Sequence, residues 1–432
     1  MAKQTSKELR SLVMYSVFVR NHSEEGNFSA LRTDLDRIQR LGVDIIWLLP
    51  VHPIGKIARK GTLGSPYAIQ DYRKINPEYG SLDEFRSLVD EIHARGMKCI
   101  IDVVYNHTSP DSWLVQHHPE WFYRTKDGLF GNKVGEWLDV IDLDYSQRGL
   151  WEYQIETLKQ WAEIVDGFRC DVAPLIPLEF WLKARQQVES VRPGCIWLAE
   201  SVEPLFTIEN RARGFLSLSD SELYQSFDIC YDYDIFAYFR GYLDGRNILS
   251  SYVEKINQQE AIYPDNYVKL RYLENHDQAR AKSIISDETS MRNWLAFLYF
   301  QKGMTLLYAG QEVGDDHRPS LFDKDTVQWR GGYDLTPLLA RLYTIKKNPL
   351  FANSRYEVCA LPNEILHATH SASGSQMIGI FSVSGRSGVI KVGLTDGVYR
   401  NLIDNQEILV REGSILCMGE PIILEAPKNQ NY

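Results

Sequence analysis

The chain has 432 residues, of which 44% are hydrophobic and 24% are charged, proportions that are typical of a globular enzyme and exclude a fibrous or disordered chain. Its formal net charge of -10 at pH 7 argues against a nucleic-acid partner, because such binding needs a clustered excess of Lys and Arg. A neutral small molecule is a better match, and the oligomeric state is left open.

The amino terminus has the character of a first strand, not of a targeting segment. Its apolar stretch is short, is broken by polar residues and lacks a small-residue cleavage site. No segment has the ~20 consecutive apolar residues that a membrane span needs. The six cysteines form no C-x-x-C pair, which favours free thiols over a disulfide framework. We therefore expect a cytoplasmic protein that does not associate with membranes.

Short apolar runs alternate with amphipathic helical stretches over the first 350 residues, which predicts a parallel sheet covered by helices. Eight such parallel strands favour a closed (β/α)8 TIM barrel. A doubly wound open sheet is the alternative, but the first strand-to-helix turn lacks the G-x-G-x-x-G pattern. The predicted strands span residues 13–19, 43–50, 97–105, 166–172, 195–200, 225–231, 267–274 and 304–309.

Two segments do not follow this alternation. Residues 108–148, after the third strand, are rich in Trp, His, Gly and Asp and lack a clear period, which indicates a short inserted loop domain. Residues 351–432 contain short alternating runs separated by Gly, Asp and Asn, which predicts a C-terminal all-β sandwich domain. The catalytic barrel is then formed by residues 1–107 and 149–350.

Polar side chains are concentrated at the carboxyl ends of the predicted barrel strands, where the active sites of TIM barrels lie. One Asp after a strand is readily explained as a helix cap. Several carboxylates at one rim are not, because they raise one another's pKa. Glycoside hydrolysis needs such a set, with one carboxylate as nucleophile and one protonated carboxyl as acid. The strand-end residues are Asp102, Asn106, His107, Arg169, Asp171, Glu200, His276 and Asp277.

Four motifs at these strand ends resemble, in order, the four signatures of the α-amylase superfamily, glycoside hydrolase family thirteen. The resemblance implies a retaining enzyme active on α-linked glucose oligomers. It places the nucleophile at Asp171, the acid/base at Glu200 and a transition-state-stabilising carboxylate at Asp277. The motifs are DVVYNH (102–107), GFRCDV (167–172), WLAES (197–201) and ENHD (274–277).

Flanking segments are similar to the same family, and these imply the substrate-binding residues. By resemblance Tyr67 stacks on the sugar in subsite −1, and His107 and His276 donate hydrogen bonds to its hydroxyl groups. Asp102 and Arg169 complete the set, and we expect the adjacent Arg169 cation to lower the pKa of the Asp171 carboxyl. The segments are VDIIWLLPVHPIG (43–55), SPYAIQDYRKINPEYGSLDEF (65–85) and GMTLLYAGQEVG (303–314).

The sequence departs from the family pattern just after the nucleophile. Where many starch-cleaving members have Lys-His, this chain has Pro174 and Leu175. Asn106 and Asp142 lie where the family binds calcium, but two oxygen donors fall short of the ~6–8 that Ca²⁺ prefers. We therefore expect no cofactor, with Asn106 and Asp142 as at most weak calcium ligands, and we expect maltodextrins and maltooligosaccharides as substrates in preference to raw starch.

Other functions stay open to different degrees. An exo-acting α-glucosidase and a transglycosylase share the covalent intermediate and differ in the acceptor. A non-catalytic carbohydrate-binding relative is disfavoured because Asp171, Glu200 and Asp277 are all present. A nucleotide-dependent sugar enzyme would need a Gly-rich phosphate loop, which the sequence lacks.

Overall fold

The structure is a computed structural model that describes residues 4–330, 332–372 and 374–427. The first eight long strands form a closed parallel barrel in chain order, and β8 pairs with β1 to close it. The predicted (β/α)8 barrel is therefore confirmed. The barrel strands are β1 (Val13–Val17), β2 (Ile45–Leu48), β3 (Lys98–Val103), β4 (Gly167–Cys170), β5 (Ile196–Ala199), β6 (Ile229–Tyr231), β7 (Val268–Arg271) and β8 (Met304–Tyr308).

Each observed strand is shorter than the sequence predicted. The predicted strand 166–172, for example, pairs only over Gly167–Cys170. Several residues that follow the paired part of a barrel strand are still buried, so the buried pattern in the sequence extends beyond the strand. The backbone of these residues already belongs to the loops at the end of the barrel. Burial sets the sequence pattern, whereas hydrogen bonding to the neighbouring strands sets the strand ends.

The helices pack their apolar faces on the barrel. In the helix Phe28–Arg40, the side chain of Asn27 accepts a hydrogen bond from the Ala30 backbone N–H, which is a typical N-terminal cap. The helix Leu82–Ala94 begins with a capping box between Ser81 and Glu84. In the helix Phe28–Arg40, apolar residues at three- and four-residue spacing face the core: Phe28, Leu31, Leu35 and Ile38.

In chain order the α-helices are α1 (Val19–His22), α2 (Phe28–Arg40), α3 (Leu82–Ala94), α4 (Trp113–His117), α5 (Arg148–Ala162), α6 (Leu178–Val188), α7 (Pro204–Ala212), α8 (Asp220–Leu223), α9 (Tyr233–Leu243), α10 (Leu249–Ile262), α11 (Ala281–Ile284), α12 (Glu288–Phe300), α13 (Thr336–Lys346) and α14 (Leu350–Asn353).

The segment between β3 and β4 has little regular structure, as the sequence predicted for the insertion. A two-stranded ladder joins His107–Thr108 to Ile141–Asp142. Phe122 is buried and packs edge-on against Phe130, so part of the aromatic content forms the insertion's own core. The boundaries 108–148 stay a prediction.

The C-terminal part is an all-antiparallel β domain, which confirms the predicted class. One sheet has the order β9-β10-β11-β16, and two further ladders pair β12 with β15 and β13 with β14. Phe381 packs against Phe297 and Phe300 of α12, which attaches this domain to the barrel. Its strands are β9 (Arg355–Leu361), β10 (Ile365–Ala372), β11 (Ser375–Ser382), β12 (Gly388–Lys391), β13 (Gly397–Arg400), β14 (Glu407–Val410), β15 (Ser414–Cys417) and β16 (Ile422–Pro427).

Two further features bear on the sequence predictions. Across the described ranges, no helix has the length and apolar character that a membrane crossing requires. The cysteines are free thiols, and all of them except Cys359 are buried.

Candidate active site

The carboxyl ends of β3, β4 and β5 bring the predicted charged residues side by side. Asp102 of β3 is the register partner of Arg169 of β4, and Asp171 and Glu200 follow directly after β4 and β5. Parallel strands with a shared register therefore place residues that are far apart in sequence at one end of the barrel. The site is built from strand ends, which are rigid.

Arg169 is the centre of this cluster and is fully buried. Its Nη1 donates to Asp102 Oδ1 at 2.8 Å and to Asp171 Oδ1 at 2.7 Å. Its Nη2 lies 2.7 Å from Glu200 Oε1. That contact is an ion pair whose angle does not suit a hydrogen bond, so Nη2 has no hydrogen-bond acceptor. One guanidinium thus holds the carboxyl groups of Asp171 and Glu200 next to each other.

Val172 provides a second restraint on Glu200. Its backbone has φ 35° and ψ 45°, a left-handed conformation that is unfavourable for a β-branched residue. In this conformation the Val172 N–H donates to Glu200 Oε2 at 2.8 Å. Backbone strain of this kind occurs mainly where the surrounding structure enforces it at a functional site. Both oxygens of Glu200 are therefore positioned, one by Arg169 and one by Val172.

The two carboxyl groups have different acidities. Burial raises the pKa of Asp171 to about 6, against the opposing charge of Arg169. Arg169 does lower the pKa of Asp171, as expected, but the loss of hydration raises it by more, so the net pKa lies above the ordinary value of an aspartate. Burial also raises the pKa of Glu200 to about 8, with repulsion from Asp171 and Asp277 adding to the effect. At neutral pH, Asp171 is mainly ionised and Glu200 is mainly protonated.

Asp277, His276 and Tyr67 form the opposite side of the cluster. Tyr67 stacks on His276 with ring centroids 5.6 Å apart, and its hydroxyl donates to Asp102 Oδ2 at 3.1 Å. His276 Nε2 lies 2.7 Å from the Tyr67 hydroxyl and 3.0 Å from Asp277 Oδ2. Burial works to raise the pKa of Asp277, but the charge and hydrogen bond of His276 and the charge of Arg169 lower it overall. Asp277 is thus an ionised carboxylate at the wall of the pocket.

His107 lies on the same rim. Its Nε2 is 4.0 Å from Asp171 Oδ2, and its ring packs at 5.3 Å against Trp137 of the insertion. Burial lowers the pKa of His107 to about 4. The ring is therefore neutral at pH 7, and its one N–H group is able to donate a hydrogen bond to a neighbouring oxygen.

These groups open into a pocket of about 340 Å³. Of the predicted residues, Tyr67, His107, Asp171, Glu200 and Asp277 line it. The predicted binding residues Asp102, Arg169 and His276 are buried beneath these lining groups. The lining residues that the sequence did not single out are Lys60, Ser65, Asp139, Val140, Val172, Tyr233, Leu321 and Phe322.

The missed residues lie mostly in the loops after β2, β3, β6 and β8. Ser65 and Val172 lie inside the family-like segments but carry no group that marks them as functional, and the others lie in loops outside the motifs. A strand end predicts the rim on which a residue lies, but not which loop residues turn inward.

Both side-chain oxygens of Asp142, one of the two residues named as weak calcium ligands, accept hydrogen bonds from the protein. Asp142 accepts from the Asn106 side-chain amide at 3.3 Å and from the Lys133 backbone N–H at 2.8 Å. The Pro174 carbonyl accepts from the Leu218 N–H at 2.9 Å. Within the ranges that the structure describes, no three or more His, Cys, Asp or Glu residues converge as a metal site.

A TIM barrel with carboxylates, an arginine and histidines at the carboxyl ends of its strands has the site architecture that the sequence motifs predicted. The family described as "Alpha amylase, catalytic domain" matches residues 15–136 and 121–335. The "Bacterial Alpha amylase C-terminal domain" matches residues 357–424. The chain therefore belongs to the α-amylase family.

Solved structures and curated proteins agree with this assignment. The chain is 48% identical to an α-amylase from Lactobacillus plantarum, with 98% of this chain and 100% of that chain covered and a TM-score of 0.96. It is 32% identical to a "noncanonic maltogenic alpha-amylase" from Thermotoga neapolitana, with 98% and 100% covered and a TM-score of 0.87.

Among curated proteins, an α-1,4-glucan:maltose-1-phosphate maltosyltransferase from Rhodospirillum rubrum is 35% identical over 41% of this chain. The α-amylase MalA from Haloarcula japonica is 27% identical over 73% of this chain. The matched parts amount to 28% and 45% of the lengths of these two proteins, so the chain spans less than half of either.

Proposed function

We propose that this protein is a retaining glycoside hydrolase that cleaves α-1,4-glucosidic bonds in maltodextrins and maltooligosaccharides. One observation carries the proposal: Asp171 and Glu200 are held by the two Nη nitrogens of one buried guanidinium, each at 2.7 Å. Retaining enzymes place their two carboxyl groups roughly 5–5.5 Å apart, whereas inverting enzymes leave room for a water at roughly 6.5–9.5 Å. Sharing one guanidinium favours the shorter separation.

The different acidities of the two groups match the two roles. The Asp171 carboxylate attacks the anomeric carbon while the bond from that carbon to the glycosidic oxygen breaks. Glu200 gives its proton to the departing oxygen. Glu200, now ionised, then takes a proton from water, whose oxygen attacks the anomeric carbon and releases Asp171.

The surrounding residues stabilise the charge that develops on the sugar. Asp277 is ionised and faces the pocket, so it stabilises the positive charge of an oxocarbenium-like transition state. His107 is neutral, and the half-buried Tyr67 stacks on His276 and lines the pocket; we propose that they bind the hydroxyl groups and the face of the sugar in subsite −1. Asp102, Arg169 and His276 position these groups from below.

The names of the similar proteins support the substrate class. The relatives include α-amylases and an α-1,4-glucan:maltose-1-phosphate maltosyltransferase. The names of these proteins all refer to enzymes of α-glucan chemistry. The maltosyltransferases also support the alternative in which a sugar hydroxyl in place of water accepts the glycosyl group. We further propose that the enzyme works in the cytoplasm and needs no calcium.

The test is a time course of products from maltooligosaccharides of defined length, with the Asp171→Asn variant as control. We expect the wild type to release shorter oligosaccharides and the variant to be nearly inactive. Products longer than the substrate would show transfer to a sugar acceptor. Absence of any cleavage or transfer on α-1,4-linked substrates would contradict the proposed function.

A further inference from the structure

The loop after β2 closes one end of the pocket. Its base is fixed by a hydrogen bond from the Gly55 N–H to the Ala68 carbonyl at 2.9 Å. At its tip, Lys60 Nζ lies 2.8 Å from Asp139 Oδ1 of the insertion. Lys60 also lies over the ring of Phe322, at 5.8 Å, in the loop after β8. We call Lys60, Asp139 and Phe322 the glycone wall.

Backbone hydrogen bonds join the loop after β2 to the loop after β8, which carries Phe322. The Phe322 carbonyl accepts hydrogen bonds from the backbone N–H groups of Leu63 and Gly64, at 2.9 and 3.1 Å. Gly61 has a φ of 62°, and a Cβ atom there would lie 2.7 Å from the Phe322 Cβ. The two loops approach so closely that only glycine fits at this position. Three separate loops are therefore joined into one barrier.

The position of Glu200 shows which end of the substrate faces this barrier. An acid that protonates the departing oxygen must lie on the leaving-group side of the scissile bond. Glu200 follows β5, and Tyr233, which also lines the pocket, follows β6. Lys60 and Phe322 of the glycone wall come from the loops after β2 and β8, each three strands away from β5 around the closed barrel, and Asp139 reaches Lys60 from the insertion after β3. The glycone wall therefore bounds the side that binds the non-reducing end.

We propose, on the basis of the proposed function, that the glycone wall makes the enzyme cleave close to the non-reducing end of its substrate. The pocket has a volume of about 340 Å³, at the small end of the roughly 300–1,000 Å³ range of ligand sites. The released products should therefore contain roughly one or two glucose units. A longer glycone would collide with Lys60 and Phe322. Asp139 has only 5% of its side chain exposed, so its pairing with Lys60 keeps the barrier in place.

The experiment uses maltoheptaose with a fluorescent label at its reducing end. A second substrate is the same molecule with its non-reducing end blocked by a 4,6-O-ethylidene group. For the wild type we expect unlabelled glucose or maltose together with labelled chains shortened by one or two units, and slow cleavage of the blocked substrate.

Lys60→Ala and Asp139→Ala should each raise the rate on the blocked substrate, relative to the unblocked one, by about tenfold or more, the range of discrimination that a steric contact provides. The double variant should add little, because both changes remove the same barrier. Phe322→Ala should act in the same direction without leaving a buried carboxylate unpaired. Lys56→Ala, which changes an exposed residue of the same loop, should behave like the wild type.

Labelled fragments from the interior of the chain at the first time points would overturn the inference while leaving the proposed function intact. The wild-type cleavage pattern in all the glycone-wall variants would also overturn it. No cleavage of either substrate by the wild type would instead refute the proposed function, and the inference with it.

Discussion

Replacing Glu200 by Gln tests the proposed acid directly, because the amide keeps the shape of the side chain but carries no transferable proton. Its oxygen is still able to accept the hydrogen bond from the Val172 N–H, which now measures 2.8 Å. The fold and the substrate pocket should therefore be retained. What is lost is the proton that the departing sugar oxygen requires.

The size of the loss follows from the value of general acid catalysis, which is typically 10²–10⁴-fold. At ~1.4 kcal/mol for each factor of ten, this corresponds to roughly 3–5 kcal/mol of barrier. The pH dependence should change as well. Burial raises the pKa of Asp171 to about 6 and that of Glu200 to about 8, so the wild-type kcat/KM should be bell-shaped with its optimum between these values. The variant should lose the decline on the alkaline side.

Leaving groups that differ in their need for a proton distinguish this role from a structural one. With maltotriose the variant should lose activity by the full factor, but with α-maltosyl fluoride, whose fluoride departs without protonation, it should retain most of its first-step rate. Asp171→Asn is the matched control and should lose activity on both substrates. An equal loss in Glu200→Gln on both substrates would refute the assignment of Glu200 as the acid.

Three further predictions concern other parts of the molecule. Early proton NMR should show products in the α configuration, and an initial β product would mean that Asp171 activates water in place of forming a covalent bond. Dialysis against excess EGTA should leave activity and Tm unchanged, because the Asp142 oxygens already accept protein hydrogen bonds; a loss restored by Ca²⁺ and not by Mg²⁺ would contradict this. Burial lowers the pKa of His370 from 6.5 to about 3. Between pH 6.5 and about 3 the folded state therefore binds fewer protons than the unfolded chain. The contribution of His370 to the free energy of unfolding is complete above pH 6.5 and declines as the pH falls toward 3. Tm measured against pH should therefore show a flatter acid decline in His370→Gln than in the wild type.

The sequence predicted the barrel because each strand and helix carries its own local pattern. Apolar runs followed by helices of 3.6-residue period occur eight times, and the observed strands lie within the predicted ones. The predicted strands were longer than the observed ones, since Asp171 and Glu200 are buried like strand residues although they lie outside the hydrogen-bonded strands. Hydrophobicity reports burial and does not report the hydrogen bonds that end a strand.

What the sequence by itself determined is the family and the barrel, and its short motifs at the strand ends also pointed to the carboxylates that the structure brings together. Only the tertiary structure decided the acidities and the shape of the pocket. The pKa of Asp171 depends on how completely the site is dehydrated, and burial outweighs the neighbouring Arg169. The pairing of Lys60 with Asp139 depends on how two loops, far apart in sequence, meet above the barrel. Neither quantity is local, so neither is encoded in any short stretch of residues.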